Sequence, residues 1–302
     1  MKSVKKIDIH AHVTVYPDLV PKLQITGYTN LNCQELIEFY DRLNIEKGVL
    51  LPVVAPEGQW VQLTNENSIV ATRMHPDRFL WFCNVDPRAS MNNPNSDLLY
   101  ILEHYKALGA KGLGELTSQF YADDPMLDNL FTACEKCDFP VIIHVSPFFG
   151  NSYGIVDELG LPRIEKVLQK HPNLKLIGHS QPFWAEMSAN LKEYERNSYP
   201  TGKVIKGRLW ELMSKYENLY CDLSAGSGAN ALMRDPENAA EFIEAFADRI
   251  LYGCDFCAIT NEHQFTFDKF LDEMVDSGKI SEENYRKIVR ENAVRLLKLE
   301  ER

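Results

Sequence analysis

Eight short apolar runs, each followed by a stretch of helical character, constrain this 302-residue chain more than any other feature. The runs are 4–9, 47–54, 79–85, 112–116, 140–145, 174–179, 219–223 and 249–255. Between and after them, helical stretches span 30–43, 65–75, 97–108, 128–137, 162–170, 206–215, 236–246, 264–277 and 281–299. Ser96 is placed to cap the third of these, and Ser281 the last. Strands of nearly unbroken apolar character are buried on both faces, as parallel strands covered by helices are. The alternation predicts an α/β fold, a (β/α)8 TIM barrel with extra C-terminal helices, and one domain over 1–302. The competing arrangement is an open doubly wound sheet, but no Gly-rich phosphate loop follows the first strand.

Composition narrows the function classes. Hydrophobic residues make up 45% and charged residues 25%, enough apolar material for a large core. The formal net charge of −11 argues against nucleic acid or an anionic membrane as partner. No apolar run approaches the roughly 20 residues of a membrane span, and the apolar stretch after the basic N-terminus is too short for a signal peptide. The seven cysteines show no disulfide spacing. Cys134 and Cys137 form a C-x-x-C inside a helical stretch, with no second pair to complete a zinc site. The expectation is reduced thiols in a cytoplasmic protein.

The chemistry gathers at strand ends. The first run ends in Ile7-Asp8-Ile9-His10-Ala11-His12. Residues two apart on a strand point the same way, so His10 and His12 aim two imidazoles at one place. Glu115, His144, His179 and Asp255 close the fourth, fifth, sixth and eighth runs. In a barrel all these ends face one mouth. Burying so many titratable groups without a compensating cation is costly. Such donors suit Zn2+, or Mn2+ with more oxygen ligands.

This ordered set resembles the amidohydrolase superfamily, specifically its amidohydrolase 2 branch, which includes aminocarboxymuconate-semialdehyde decarboxylase and related decarboxylases and hydratases. Gly114-Glu115-Leu116, Gly178-His179, Tyr252-Gly253-Cys254-Asp255 and the closing Arg290-Glu291-Asn292-Ala293 carry the likeness further. The resemblance implies one divalent metal, usually zinc. It matches His10, His12 and His144 to histidine ligands. Asp255 matches the acid that meets the metal and handles the water proton, and His179 the histidine that stabilises substrate charge. Glu115 matches a metal carboxylate in some branches only. No lysine ends the fourth strand, so a carbamylated-lysine bridge between two metals is not expected.

The expected activity is hydrolysis of a small, carboxylated amide, lactone or ester, with a decarboxylase or hydratase of an unsaturated acid as the alternative. Arg88 is a candidate carboxylate clamp. Phe148, Phe149, Phe183 and Trp184 are candidate pocket walls, with Phe148 and Trp184 the preferred substrate contacts. Gly226-Ser227-Gly228 reads as a flexible loop and a weak phosphate cradle. The inserts 16–29, 147–161 and 181–205 all follow strands and would lie over the mouth. Barrels of this kind often dimerise, so a homodimer is allowed, although no self-complementary stripe locates an interface.

Overall fold

The computed structural model describes residues 4–24, 27–57, 61–261 and 263–300. Ile25 and Thr26 of the first expected insert lie outside the described residues.

The described residues form nine strands: β1 (Lys6–Ala11), β2 (Ile45–Leu50), β3 (Phe79–Trp81), β4 (Leu113–Leu116), β5 (Val141–Ser146), β6 (Ile155–Val156), β7 (Leu176–His179), β8 (Leu219–Asp222) and β9 (Ile250–Leu251). All pairings between them are parallel. They run β1-β2-β3 in one sheet and β4-β5-β7-β8-β9 in the other, with the short β6 beside β5. Backbone hydrogen bonds stitch both seams. Between β3 and β4, Lys111 donates to the Trp81 carbonyl (3.0 Å) and Cys83 to that of Gly112 (2.9 Å). Between β9 and β1, Ile9 donates to Tyr252 (3.0 Å) and Asp255 to His10 (2.8 Å). The strands thus form a ring in the TIM-barrel manner, with their carboxyl ends at one mouth.

The helices begin and end where local chemistry dictates. Helix Cys33–Leu43 starts at a capping box, with Asn32 and Glu35 satisfying each other's backbone N–H groups, and ends on left-handed Asn44. Helix Pro125–Cys137 starts at Asp124 with Pro in its first turn, and ends on left-handed Asp138. The third helix is capped by Asp97, not Ser96, whose hydroxyl instead donates to the Ser90 carbonyl. No helix among the described residues is long and apolar enough to cross a membrane.

Two apolar clusters hold the ring together. The larger lies between strands and helices. The smaller joins Ile7, Ile9, Val49, Leu51, Phe82, Ile142, Ile177 and Leu251 with Ala293 of the last helix, Asn292–Leu296, and Leu297 just after it, and forms the barrel interior below the mouth. Each of these valine, leucine, isoleucine and phenylalanine side chains contributes about 1.5–3 kcal/mol on burial.

β1 breaks strict alternation at a functionally important place. Ile7 and Ile9 belong to the interior cluster, while Asp8 turns outward to the Tyr40 hydroxyl at 2.7 Å. Regular alternation would send His10 outward as well. The β1–β2 register shifts between Asp8 and Ala11, and His10 turns inward. Such irregularities commonly re-aim a side chain next to a site.

Candidate metal centre

His10 and His12 are buried, and both ring orientations are set by acceptors. His12 Nδ1 lies 2.9 Å from the Leu51 carbonyl oxygen, which can only accept, so that nitrogen carries the proton. His10 Nδ1 lies 2.7 Å from Asp222 Oδ2. Burial opposes ionisation of Asp222, but His10 and His179 hold its carboxyl well below the usual range, so it too accepts. In the neutral imidazoles both Nε2 atoms therefore present lone pairs, and they lie 3.0 Å apart. Two lone pairs facing each other at that distance call for a cation between them.

Two carboxylates complete the set. Glu115 Oε2 is 3.6 Å from His10 Nε2 and 3.5 Å from His12 Nε2. Asp255 Oδ1 is 3.6 and 3.4 Å from the same atoms. A tetrahedral zinc site with bonds of about 2.0–2.1 Å has donor–donor edges of about 3.3–3.4 Å. The five edges bracket that value: His10, His12 and Glu115 have donor atoms close enough to share a single divalent ion, and Asp255 stands beside both imidazoles. Asp255 adopts a left-handed backbone (φ 54°), a conformation that Asp tolerates better than most residues.

His144 and His179 join the cluster from the other side. His144 Nδ1 donates to Glu115 Oε1 at 2.6 Å. His179 Nε2 lies 3.9 Å from Glu115 and 4.0 Å from Asp255. Glu115, His144 and His179 also have donor atoms close enough to share an ion, as do His10, His179 and Asp255. The Ser224 hydroxyl donates to Asp222 Oδ2 (2.7 Å) and so accepts from His179 Nδ1 (2.9 Å). His179 thus turns an unprotonated Nε2 towards the cluster, and donates there only when protonated. Burial pushes His12 down, yet Asp255 and Glu115 outweigh it and lift its pKa to about 9. For Glu115 and Asp255, burial raises the pKa, but the surrounding histidines outweigh it and hold both carboxyls low.

The strand-end residues therefore meet as their positions predict, whereas the expected substrate contacts do not. Arg88 is committed to its own neighbours: it binds Asp86 at 2.7 Å and Glu57 at 2.5 and 2.8 Å, leaving no open fork for a ligand. Trp184 is 2% exposed, packs on Phe183 and Phe242, and donates Nε1 to the Asp222 carbonyl at 2.9 Å. It supports the floor of the centre and does not line the cavity. Phe148 is 48% exposed, and it too is absent from the cavity wall. Gly226-Ser227-Gly228 is helical, within Ala225–Met233. Cys134 and Cys137 are buried free thiols, and no cysteine belongs to a candidate metal cluster among the described residues.

Sequence reasoning missed Asp222 and Ser224. Asp222 closes the apolar run 219–223 much as His144 closes 140–145, so the same rule would have found it. Asp8 was also missed. Its carboxylate accepts from the backbone N–H groups of His10 and Cys254 at 2.9 Å, tying β1 to the segment carrying Asp255.

A cavity of about 710 Å3 opens over the centre, with His144, His179 and Asp255 on its floor and Tyr153, Gln181 and Tyr199 on its walls. Tyr153, from the 147–161 insert, packs against His144 with the rings tilted by 37° and their centroids 4.3 Å apart. This size is usual for a small-molecule site.

Comparison with known proteins follows the same lines. Residues 7–299 match the family model described as Amidohydrolase. No curated protein matches the sequence significantly. Among solved structures, the chain is similar to an uncharacterised TIM-barrel protein from Bordetella bronchiseptica (17% identity, TM-score 0.63, covering 98% of this chain and 99% of that one). It is similar to a candidate 2-pyrone-4,6-dicarboxylic acid hydrolase from Pseudomonas putida (13%, TM-score 0.63, 99% of each chain). A third is a dihydroxybenzoic acid decarboxylase from a Polaromonas species, solved with bound manganese and an inhibitor (19%, TM-score 0.59, 98% of each chain). At these identities the solved structures bear on the fold, and the family rests on the match that spans nearly the whole sequence: the chain belongs to the amidohydrolase family.

Proposed function

We propose that this protein is a metal-dependent hydrolase of a small carboxylated molecule, an amide, lactone or ester. The observation that carries the reading is the pair of His10 and His12 Nε2 atoms 3.0 Å apart, ringed by Glu115 and Asp255. His10, His12, Glu115 and Asp255 would hold the ion, with zinc the metal best suited to two imidazoles and manganese the alternative. When bound, a divalent ion acidifies water and polarises a carbonyl.

The chain's own groups supply the rest. Asp255 is part-exposed to the cavity (24% for its side chain) and is the carboxylate placed to take a proton from water and return it to the leaving group. Glu115 is held by the His144 N–H at 2.6 Å and is thereby kept as an acceptor. His179, seated on Ser224, reaches the same space and, when protonated, donates to a developing oxyanion. Asp222 fixes the His10 tautomer.

A decarboxylase on the same scaffold is the second reading, supported by the fold likeness to a dihydroxybenzoic acid decarboxylase. Two measurements test the proposal. Metal analysis after zinc supplementation should give about one equivalent, and a panel of lactones, esters and amides should yield turnover without CO2. Release of CO2 from aromatic or unsaturated acids would favour the second reading. Absence of both metal and turnover would defeat both.

A further inference from the structure

The expected carboxylate clamp, Arg88, is closed, and among the described residues none of those lining the 710 Å3 cavity is a lysine or arginine. A carboxylated substrate therefore needs another partner. Helix Ala225–Met233 follows β8 directly, and its first turn lines the cavity through Ala225, Gly226 and Ser227. The Ser224 side chain, at the N-cap position, does not cap it, because that hydroxyl is engaged with Asp222 and His179. Among the described residues, no hydrogen bond reaches the backbone N–H of Gly226 or Ser227. Ser227 is 3% exposed, and its buried hydroxyl has no partner either. Buried hydroxyls are nearly always paired, so an unpaired one on a cavity wall marks a place for a ligand. The backbone at Gly226 is also closely approached: a Cβ there would lie 2.9 Å from the Tyr199 hydroxyl, which itself sits 3.4 Å from Gln181 Nε2.

We propose that the first turn of helix Ala225–Met233, with the Ser227 hydroxyl, is a carboxylate subsite, and that the substrate is a monoanion whose acid group rests there while its reacting bond reaches Asp255 and His179. The proposal rests on the hydrolase reading above. Free N–H groups at a helix N-terminus and its dipole, equivalent to roughly half a positive charge, favour an anion. That charge suits a monoanion better than a dianion, which would also face the Asp255 carboxylate without any lysine or arginine to offset it.

The test is calorimetric titration of zinc-supplemented protein with benzoate, benzamide and phenyl phosphate. Benzoate should bind at least tenfold more tightly than benzamide and more tightly than phenyl phosphate. Ser227→Ala should weaken benzoate at least fivefold while zinc content stays within twofold of the parent. A crystal with 4-bromobenzoate, the bromine located by anomalous scattering, should place the carboxylate at Ser227. Unchanged benzoate affinity in Ser227→Ala, equal affinity for benzamide or phenyl phosphate, or a carboxylate seated among His10, His12 and Glu115 would each overturn the subsite. Failure of the parent protein to take up zinc would defeat the hydrolase reading instead, and the benzoate comparison would still decide the subsite.

Discussion

His10 and Asp222, 212 residues apart in sequence, are joined by a 2.7 Å hydrogen bond between buried groups. The bond fixes which imidazole nitrogen faces the candidate metal. Asp222→Asn keeps the shape but can present an N–H to His10 and so favour the wrong tautomer. Groups that orient a ligand in this way typically contribute 10–100-fold in metal affinity. Asp222→Asn should lose zinc affinity in that range, measured by competition with a chromophoric chelator.

Metal binding should stabilise the fold, since the donors are prearranged in the native state only. Zinc at 100 times its Kd contributes about 2.7 kcal/mol. For a chain of 302 residues that is roughly 4 °C in Tm. Scanning calorimetry with zinc and with chelator should show the shift, and His12→Ala should abolish it.

Zinc must displace a proton from His12, whose pKa in the metal-free protein is lifted to about 9 by Asp255 and Glu115 against the opposing effect of burial. Apparent zinc affinity should therefore climb between pH 6 and 9, by up to about tenfold per unit for each proton released, and level off above. Chelator competition across that range is the check.

Asp8 gives a separate pH signature. Burial raises its pKa from 3.8 to about 7, against the N–H groups and the Tyr40 hydroxyl that stabilise the charge. A carboxyl raised on folding favours the native state fully below its unfolded pKa, and the benefit is lost as pH rises through 7. Stability should fall between pH 4 and pH 8 by on the order of 4 kcal/mol from this group. Asp8→Asn should flatten that slope, read from urea unfolding at several pH values.

Arg88→Ala separates structure from recognition. The Arg88 side chain is 30% exposed and its partners Glu57 and Asp86 are 26% and 16% exposed, so the loss should be modest, about 1 kcal/mol in urea unfolding. Once a substrate is known, its KM should change less than twofold. A large rise in KM would restore Arg88 as a substrate clamp.

The alternation of apolar runs and helical stretches was enough to predict the barrel, because strands buried on both faces and helices of period 3.6 leave plain patterns in one dimension. It also placed His10, His12, Glu115, His144, His179 and Asp255 at strand ends, since parallel strands in a ring bring their carboxyl ends together. What sequence could not show is how neighbours spend each polar group. Arg88 reads as a free fork until Glu57 and Asp86 close on it; Trp184 reads as a pocket wall until Asp222 takes its N–H. Gly226-Ser227-Gly228 reads as a loop because glycine disfavours helix, yet packing against helices Gln181–Ala185, Pro236–Phe246 and His263–Asp276 makes it one. The inward turn of His10 depends on a register shift against β2, a relation between two strands that neither strand's residues express alone. Strand-end chemistry is local in sequence, whereas hydrogen-bond partners, tautomers and cavity walls are set by contacts between distant segments, and those exist only once the chain has folded.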